Sequence, residues 1–80
     1  MADWTVYMLR CADNTIYTGI ARDLDARLKV HNAGRGAKYT KTRLPVSVLW
    51  SEPAQTRSAA LKREYQIKQL SRTEKLSLLK

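Results

Sequence analysis

The stretch WTVYMLRCADNTIYTGI, residues 4–20, holds two tyrosines ten positions apart, Tyr7 and Tyr17, each in an apolar run, with Gly19 two places after the second. β-Branched and aromatic residues fill both runs and Ala12-Asp13-Asn14 are turn formers, so the stretch is predicted to be a β-hairpin. Val6 and Met8 alternate with Tyr7, Leu9 and Cys11, so both faces of the first strand are apolar and it should be covered on both sides. Register decides what the tyrosines do. A loop with an odd number of residues, such as Asp13-Asn14-Thr15, puts Tyr7 and Tyr17 on one face, whereas a two-residue turn puts them on opposite faces. Paired aromatics in a hairpin most often serve as core. A glycine inside a strand, however, often marks a bulge or a close approach by a ligand.

After the hairpin, Asp23 is a good N-cap for a helix through about Asn32, and Gly34 stands where a left-handed C-terminal residue belongs. Leu24 and Leu28 define its inward side, with Arg27 and His31, four apart, beside that stripe and Asp25 and Lys29 on the outer face. Residues 34–43 carry four basic residues, two glycines and no sustained apolar period, which reads as a loop or a short helix. Leu44 to Trp50 alternates as a third strand, with Pro45 at its start and Glu52-Pro53 ending it. From Thr56 or Ser58 a helix should run to about Leu70, with Ala59, Ala60, Leu61, Tyr65, Ile67 and Leu70 among its charges. Ser71-Arg72-Thr73-Glu74 then forms a capping box that opens a last helix whose Leu76 and Leu79 face inward.

Size and charge narrow the function. Eighty residues are enough for one domain, residues 1–80, with a small core. Nothing in the sequence resembles a membrane span or a secretory signal, so a cytoplasmic protein with no membrane partner is expected. Cys11 is the only cysteine, which excludes an internal disulfide or a thiolate metal cluster and favours a buried structural thiol. Fifteen Lys and Arg against seven Asp and Glu give a formal charge of +8, which suits a polyanionic partner, with nucleic acid foremost. No zinc-protease, phosphate-loop or nucleophile-triad motif is present. What stands out is polar groups on apolar faces: Arg27 and His31 on the first helix, and Glu64, which shares an arc with Ala60, Ile67 and Leu61 and has Lys68 one turn on. Each has a plain structural explanation, an ion pair or a helix-end cation. Glu64 can equally be a ligand for a hard divalent cation.

In combination these residues resemble the GIY-YIG nuclease superfamily, whose two strand motifs lie about ten residues apart. The first is degenerate here, Val6-Tyr7-Met8, and the second is Tyr17-Thr18-Gly19. Arg27 and His31 fall at the superfamily's helix arginine and following His or Tyr, and Glu64 matches the carboxylate of its later helix. The resemblance spans roughly residues 4–70. In length, and in Ala12-Asp13-Asn14, His31-Asn32 and Gly36-Ala37-Lys38-Tyr39, the chain is closest to the small stand-alone bacterial YhbQ-like group. Arg22 resembles a basic residue of the homing enzymes, while the lysine that excision-repair members carry three places after the second tyrosine is replaced by Ile20.

The resemblance implies an α+β fold, a three-stranded antiparallel sheet flanked by helices, with Tyr7, Tyr17, Arg27, His31 and Glu64 converging on one concave surface and Gly19 keeping the backbone bare there. It implies a divalent-metal-dependent endonuclease acting on DNA, in repair or recombination, with one Mg²⁺ or Mn²⁺ held by Glu64. Arg27 would grip the phosphate, one of the two tyrosines would be the general base, and His31 would shuttle protons or bind phosphate. A tyrosine base calls for a pKa drawn down by about three units, or roughly 4 kcal/mol, by a nearby metal-bound water or by Arg22, Arg27 or Lys38. Arg22, Arg35, Lys38, Lys41 and Arg43 are expected to bind DNA, with RNA as the alternative, through phosphates rather than bases. With no target-choosing domain in these 80 residues, cleavage should be of low sequence specificity, structure-selective, or directed by a protein partner. The competing reading is a non-catalytic nucleic-acid-binding module with the same fold.

Overall fold

The computed structural model of the chain describes residues 3–79. Three strands, β1 (Trp4–Arg10), β2 (Ile16–Ala21) and β3 (Ser47–Ala54), form an antiparallel sheet in the order β2-β1-β3. Four helices accompany it: α1 (Leu24–Asn32), α2 (Lys38–Lys41), α3 (Arg57–Lys68) and α4 (Arg72–Ser77). The α+β class follows.

The hairpin turns through Ala12-Asp13-Asn14, closed by the Cys11 amide donating to the Thr15 carbonyl at 2.9 Å, with Asn14 at a left-handed φ of 69°. The loop is therefore odd, one residue earlier than the Asp13-Asn14-Thr15 example. Odd parity pairs Leu9 with Tyr17 and Tyr7 with Gly19, so both tyrosines share a face. Asp13 holds the turn: its carboxylate accepts from the Thr15 hydroxyl at 2.6 Å and the Thr15 amide at 3.1 Å, and pairs with Arg43 at 3.0 Å.

As the central strand, β1 is covered on both faces. Tyr7, Leu9 and Cys11 join Ala21 and Val46 on one side, against Leu24 and Leu28 of α1. Val6 and Met8 meet Ala60 and Ile67 of α3 on the other. Val6, Met8, Leu9 and Ile67 are fully buried, each stabilising the fold by roughly 1.5–3 kcal/mol. The expected caps hold the helix starts: Asp23 accepts from the Ala26 amide, Thr56 from the Ala59 amide, and Ser71 with Glu74 completes the capping box. Gly34, at φ +78°, ends the turn beyond α1.

The structure differs from the sequence reading at three places. β3 begins at Ser47 rather than Leu44, because the Asn32 side chain takes both backbone groups of Val46, donating to its carbonyl at 3.0 Å and accepting from its amide at 2.8 Å. It also runs through Glu52-Pro53 to Ala54, which an outer strand paired on one side only tolerates. In α4, Leu78 packs against the core while Leu76 and Leu79 are exposed, and in α3 Leu61, expected in one arc with Ala60 and Ile67, faces solvent. Basic and acidic side chains cover the rest of these short helices, so little apolar periodicity was available to orient them.

Candidate active site

Tyr7 is the deepest polar group of the sheet. Its ring crosses its strand partner Gly19 so closely that a Cβ there would lie 2.7 Å from the hydroxyl and 2.8 Å from Cζ. Glycine is required at that point by close approach, not by backbone angle. The Tyr7 hydroxyl reaches Nε2 of His31 at 3.0 Å, and Nδ1 of His31 reaches the Thr40 hydroxyl oxygen at 3.0 Å. Tyr17 closes the group: its ring lies edge-on to His31 with centroids 5.3 Å apart and stacks on Tyr39 at 6.0 Å. His31 is completely buried. Gly36 lies against it, where any Cβ would overlap Nδ1 and come 2.7 Å from Cγ.

Local sequence explains how α1 delivers these groups. Capped by Asp23, the helix turns Leu24 and Leu28 onto the sheet, which carries half-buried Arg27 and buried His31 along the adjoining stripe to the tyrosines. Glu64 arrives from α3, one turn before Ile67, half-buried, with its carboxylate 3.3 Å from Lys68. The ion pair anticipated in the sequence is thus present.

The protein's own groups do not acidify Tyr7. Burial pushes the Tyr7 hydroxyl above the usual tyrosine range; Arg27 offsets part of this, and Tyr17 and Glu64 add to it. Arg27 is the cation that offsets burial at Tyr7, while Arg22 lies over the Trp4 ring at 5.5 Å. Burial, and then Arg27, hold the His31 imidazole below its ordinary value, so it is neutral at pH 7.

The basic residues divide into two groups. Arg22, Arg35, Lys38 and Lys41 are exposed and enter no salt bridge among the described residues. Arg43 differs: it pairs with Asp13, donates to the Tyr39 carbonyl at 2.7 Å and lies 4.1 Å over the Tyr39 ring, so it braces the site instead of projecting from it. Thr40 and Lys75 escaped the sequence reading, as did the groove in which Lys68 stands. Thr40 meets His31 only because residues 34–41 fold back over α1. Lys68 and Lys75 line a groove of about 370 Å³ with Ile16, Tyr17, Thr18 and Tyr39, along the free edge of β2. The Thr18 hydroxyl oxygen in that lining is buried without a hydrogen-bond partner. A larger hollow of about 710 Å³ lies along the outer side of α3 between Leu61 and Tyr65, lined by that helix alone and remote in chemistry from the tyrosines.

No cluster of three or more His, Cys, Asp or Glu that could hold a metal exists among the described residues. No described helix is long and apolar enough to cross a membrane.

Comparison with known proteins shows the family and the fold. A family model described as the GIY-YIG catalytic domain matches residues 3–77. A UPF0213 protein of Staphylococcus aureus is 52% identical over 75 residues, covering 94% of this chain and 92% of that one. Among solved structures, the solution NMR structure of a UPF0213 protein from Bacillus halodurans superposes with a TM-score of 0.61 at 39% identity, over 95% of this chain and 81% of that one. A protein from E. faecalis, also solved by NMR, gives 0.65 at 37% identity, over 99% and 88%.

Proposed function

The chain belongs to the GIY-YIG family, a family of nuclease domains, and on that premise we propose that it is a divalent-metal-dependent endonuclease hydrolysing DNA phosphodiester bonds with low sequence specificity, in repair or recombination. The observation that carries the reading is the run of contacts from Tyr7 Oη to Nε2 of His31 at 3.0 Å and from Nδ1 of His31 to the Thr40 hydroxyl at 3.0 Å, with Tyr17 edge-on to the same imidazole and half-buried Arg27 one turn before it. Phosphodiester hydrolysis needs a base for water, positive charge on the phosphoryl oxygens and help for the departing 3′ oxygen. Arg27 is a planar, permanently charged fork suited to a phosphate. Tyr7 or Tyr17 takes the proton of the attacking water, and His31 accepts or relays it.

The residues fit Mg²⁺ or Mn²⁺ as a single ion. Magnesium is commonly held by one or two carboxylates together with substrate phosphates and waters, and Glu64 is one hard oxygen donor whose side chain is 18% exposed. When bound there, such an ion supplies charge that stabilises the phosphoryl oxygens. Lys68, now on Glu64, is released towards the groove it already lines, where with Lys75 it can hold a neighbouring phosphate of the strand. Arg35, Lys38 and Lys41 extend the phosphate contacts on the exposed side. Target selection is left to DNA structure or to a protein partner.

The Glu64–Lys68 ion pair is the observation that favours the second reading, a binding module without catalysis. One experiment separates them. Supercoiled, branched and single-stranded DNA are incubated with Mg²⁺ or Mn²⁺ and wild type, Arg27→Ala or Glu64→Gln protein. The endonuclease nicks and both variants lose at least about 10²-fold in rate. A wild type that binds in EDTA but cuts nothing, or variants that cut equally well, end the endonuclease reading.

A further inference from the structure

His31 is partnered at both nitrogens, and the donor in each contact can be deduced. The Thr40 hydroxyl oxygen lies 3.0 Å from Nδ1 of His31 and 2.9 Å from the Ala37 carbonyl oxygen. A carbonyl only accepts, so the hydrogen between those two oxygens is that of Thr40. The reverse network, with Thr40 donating to Nδ1, would leave two oxygens 2.9 Å apart with no hydrogen between them. Threonine hydroxyls within a helical turn commonly donate back to the carbonyl three or four residues earlier. With its hydrogen committed to Ala37, Thr40 can only accept from His31. The imidazole proton is therefore on Nδ1, Nε2 is a free acceptor, and the hydroxyl 3.0 Å from it must donate.

We propose that Thr40 is a positioning residue: it fixes His31 as the Nδ1–H tautomer and so makes Tyr7, not Tyr17, the tyrosine that passes a proton to His31. Its catalytic purpose rests on the endonuclease reading, whereas the tautomer does not. In that reaction the attacking water gives a proton to Tyr7 Oη while Tyr7 gives its own to Nε2. The water oxygen bonds to phosphorus. The bond from phosphorus to the 3′ oxygen breaks, its electron pair stays on that oxygen, and the oxygen takes a proton from solvent. His31 is left as an imidazolium with Nδ1–H still on Thr40, and it returns its extra proton after product leaves.

The relay also resolves the raised pKa of Tyr7. No stable phenolate has to form when the hydroxyl loses and gains a proton together, and His31 is held neutral and ready to accept. The charged and titratable groups facing the imidazole are Tyr7 on β1, Tyr17 on β2 and Arg27 on α1, with Thr40 from α2.

The chain has one histidine, which makes the test unambiguous. Side-chain ¹⁵N–¹H correlation spectra at pH 7.5 of ¹⁵N-labelled wild type, Thr40→Val and Thr40→Ser report which ring nitrogen is protonated. Wild type and Thr40→Ser should show protonated Nδ1 and bare Nε2, and Thr40→Val a mixture or the Nε2–H form. In nicking assays Thr40→Val should fall about 10-fold or more, with Thr40→Ser within about 3-fold of wild type. A wild-type spectrum with bare Nδ1 overturns the proposal, even if Thr40→Val fails to fold, and so does a Thr40→Val spectrum unchanged from wild type. If wild type shows Nδ1–H yet cuts no DNA, the tautomer assignment stands and the endonuclease reading fails.

Discussion

Gly19→Ala tests the packing that brings the site together, without reference to any activity. Gly19 is not left-handed, so alanine meets no backbone penalty there. On conformational entropy alone, replacing a strand glycine should stabilise the fold by about 0.5–1 kcal/mol. Space argues the other way. The new Cβ would lie 2.7 Å from Tyr7 Oη, 2.8 Å from Cζ and 3.1 Å from Tyr17 Cε2, where ordinary contacts begin near 3.4 Å. Tyr7 must retreat by roughly 0.7 Å, but it is buried and fixed at its tip by a 3.0 Å hydrogen bond to His31. Overpacking of this kind costs about 1–3 kcal/mol and loss of the hydrogen bond about 0.5–1.5 kcal/mol. After the entropic gain, net destabilisation should be about 2 kcal/mol, a Tm lower by roughly 8–16 °C for a domain of this size. Urea titration followed by the fluorescence of Trp4 and Trp50, with calorimetry for Tm, measures it. A Gly19→Ala protein as stable as wild type, or more stable, refutes the reasoning.

Acid sensitivity should trace to His31. Its folded pKa is depressed by burial and Arg27, so the unfolded chain binds the proton first and stability declines as pH falls below about 6.5. Urea stability at pH 7.5 and 5.5 should fall more steeply for wild type than for His31→Gln, and equal slopes would remove His31 as the cause. Lys75→Glu should weaken binding of an oligonucleotide in EDTA about 10-fold and reduce the salt slope by one or more. Lys62→Glu, the same charge change on the far side of α3, should alter affinity less than about 2-fold, and equal losses would point to net charge alone. Arg43→Ala should cost about 1 kcal/mol by freeing Asp13 and Tyr39. Lys41→Ala should stay within about 0.5 kcal/mol in the same urea assay, and a reversal of that order would contradict the bracing role of Arg43.

Much of the fold was legible because its signals are local. The oxygens of Asp23, Thr56 and Ser71 cap amides within three residues, and the alternation of Trp4 to Arg10 marks a strand whichever way its neighbours pair. Loop parity was the one ambiguity that mattered, and neither Ala12 nor Thr15 announces which of them belongs to the turn. The missing parts are those set by contacts distant in sequence. Asn32 delays β3 through Val46, fourteen residues on, and Arg43 reaches back thirty residues to Asp13. Thr40 looks like an ordinary residue of a basic segment until that segment lies over His31. Burial was hidden for a related reason: counting cations along the sequence does not show that burial outweighs Arg27 at Tyr7. Lys75 could not be linked to Tyr17 because nothing in the sequence fixes where α4 folds.

The central claim, that Tyr7 is the working base of a hydrolytic centre, is tested most directly by single-turnover nicking of supercoiled plasmid in Mg²⁺ by wild type, Tyr7→Phe and Tyr17→Phe. Tyr7→Phe removes one oxygen from a buried ring and leaves Gly19, Arg27 and Glu64 in place. The account predicts that its rate drops by about 10²-fold or more, well beyond the loss in Tyr17→Phe. Tyr7→Phe protein that nicks at the wild-type rate would contradict it.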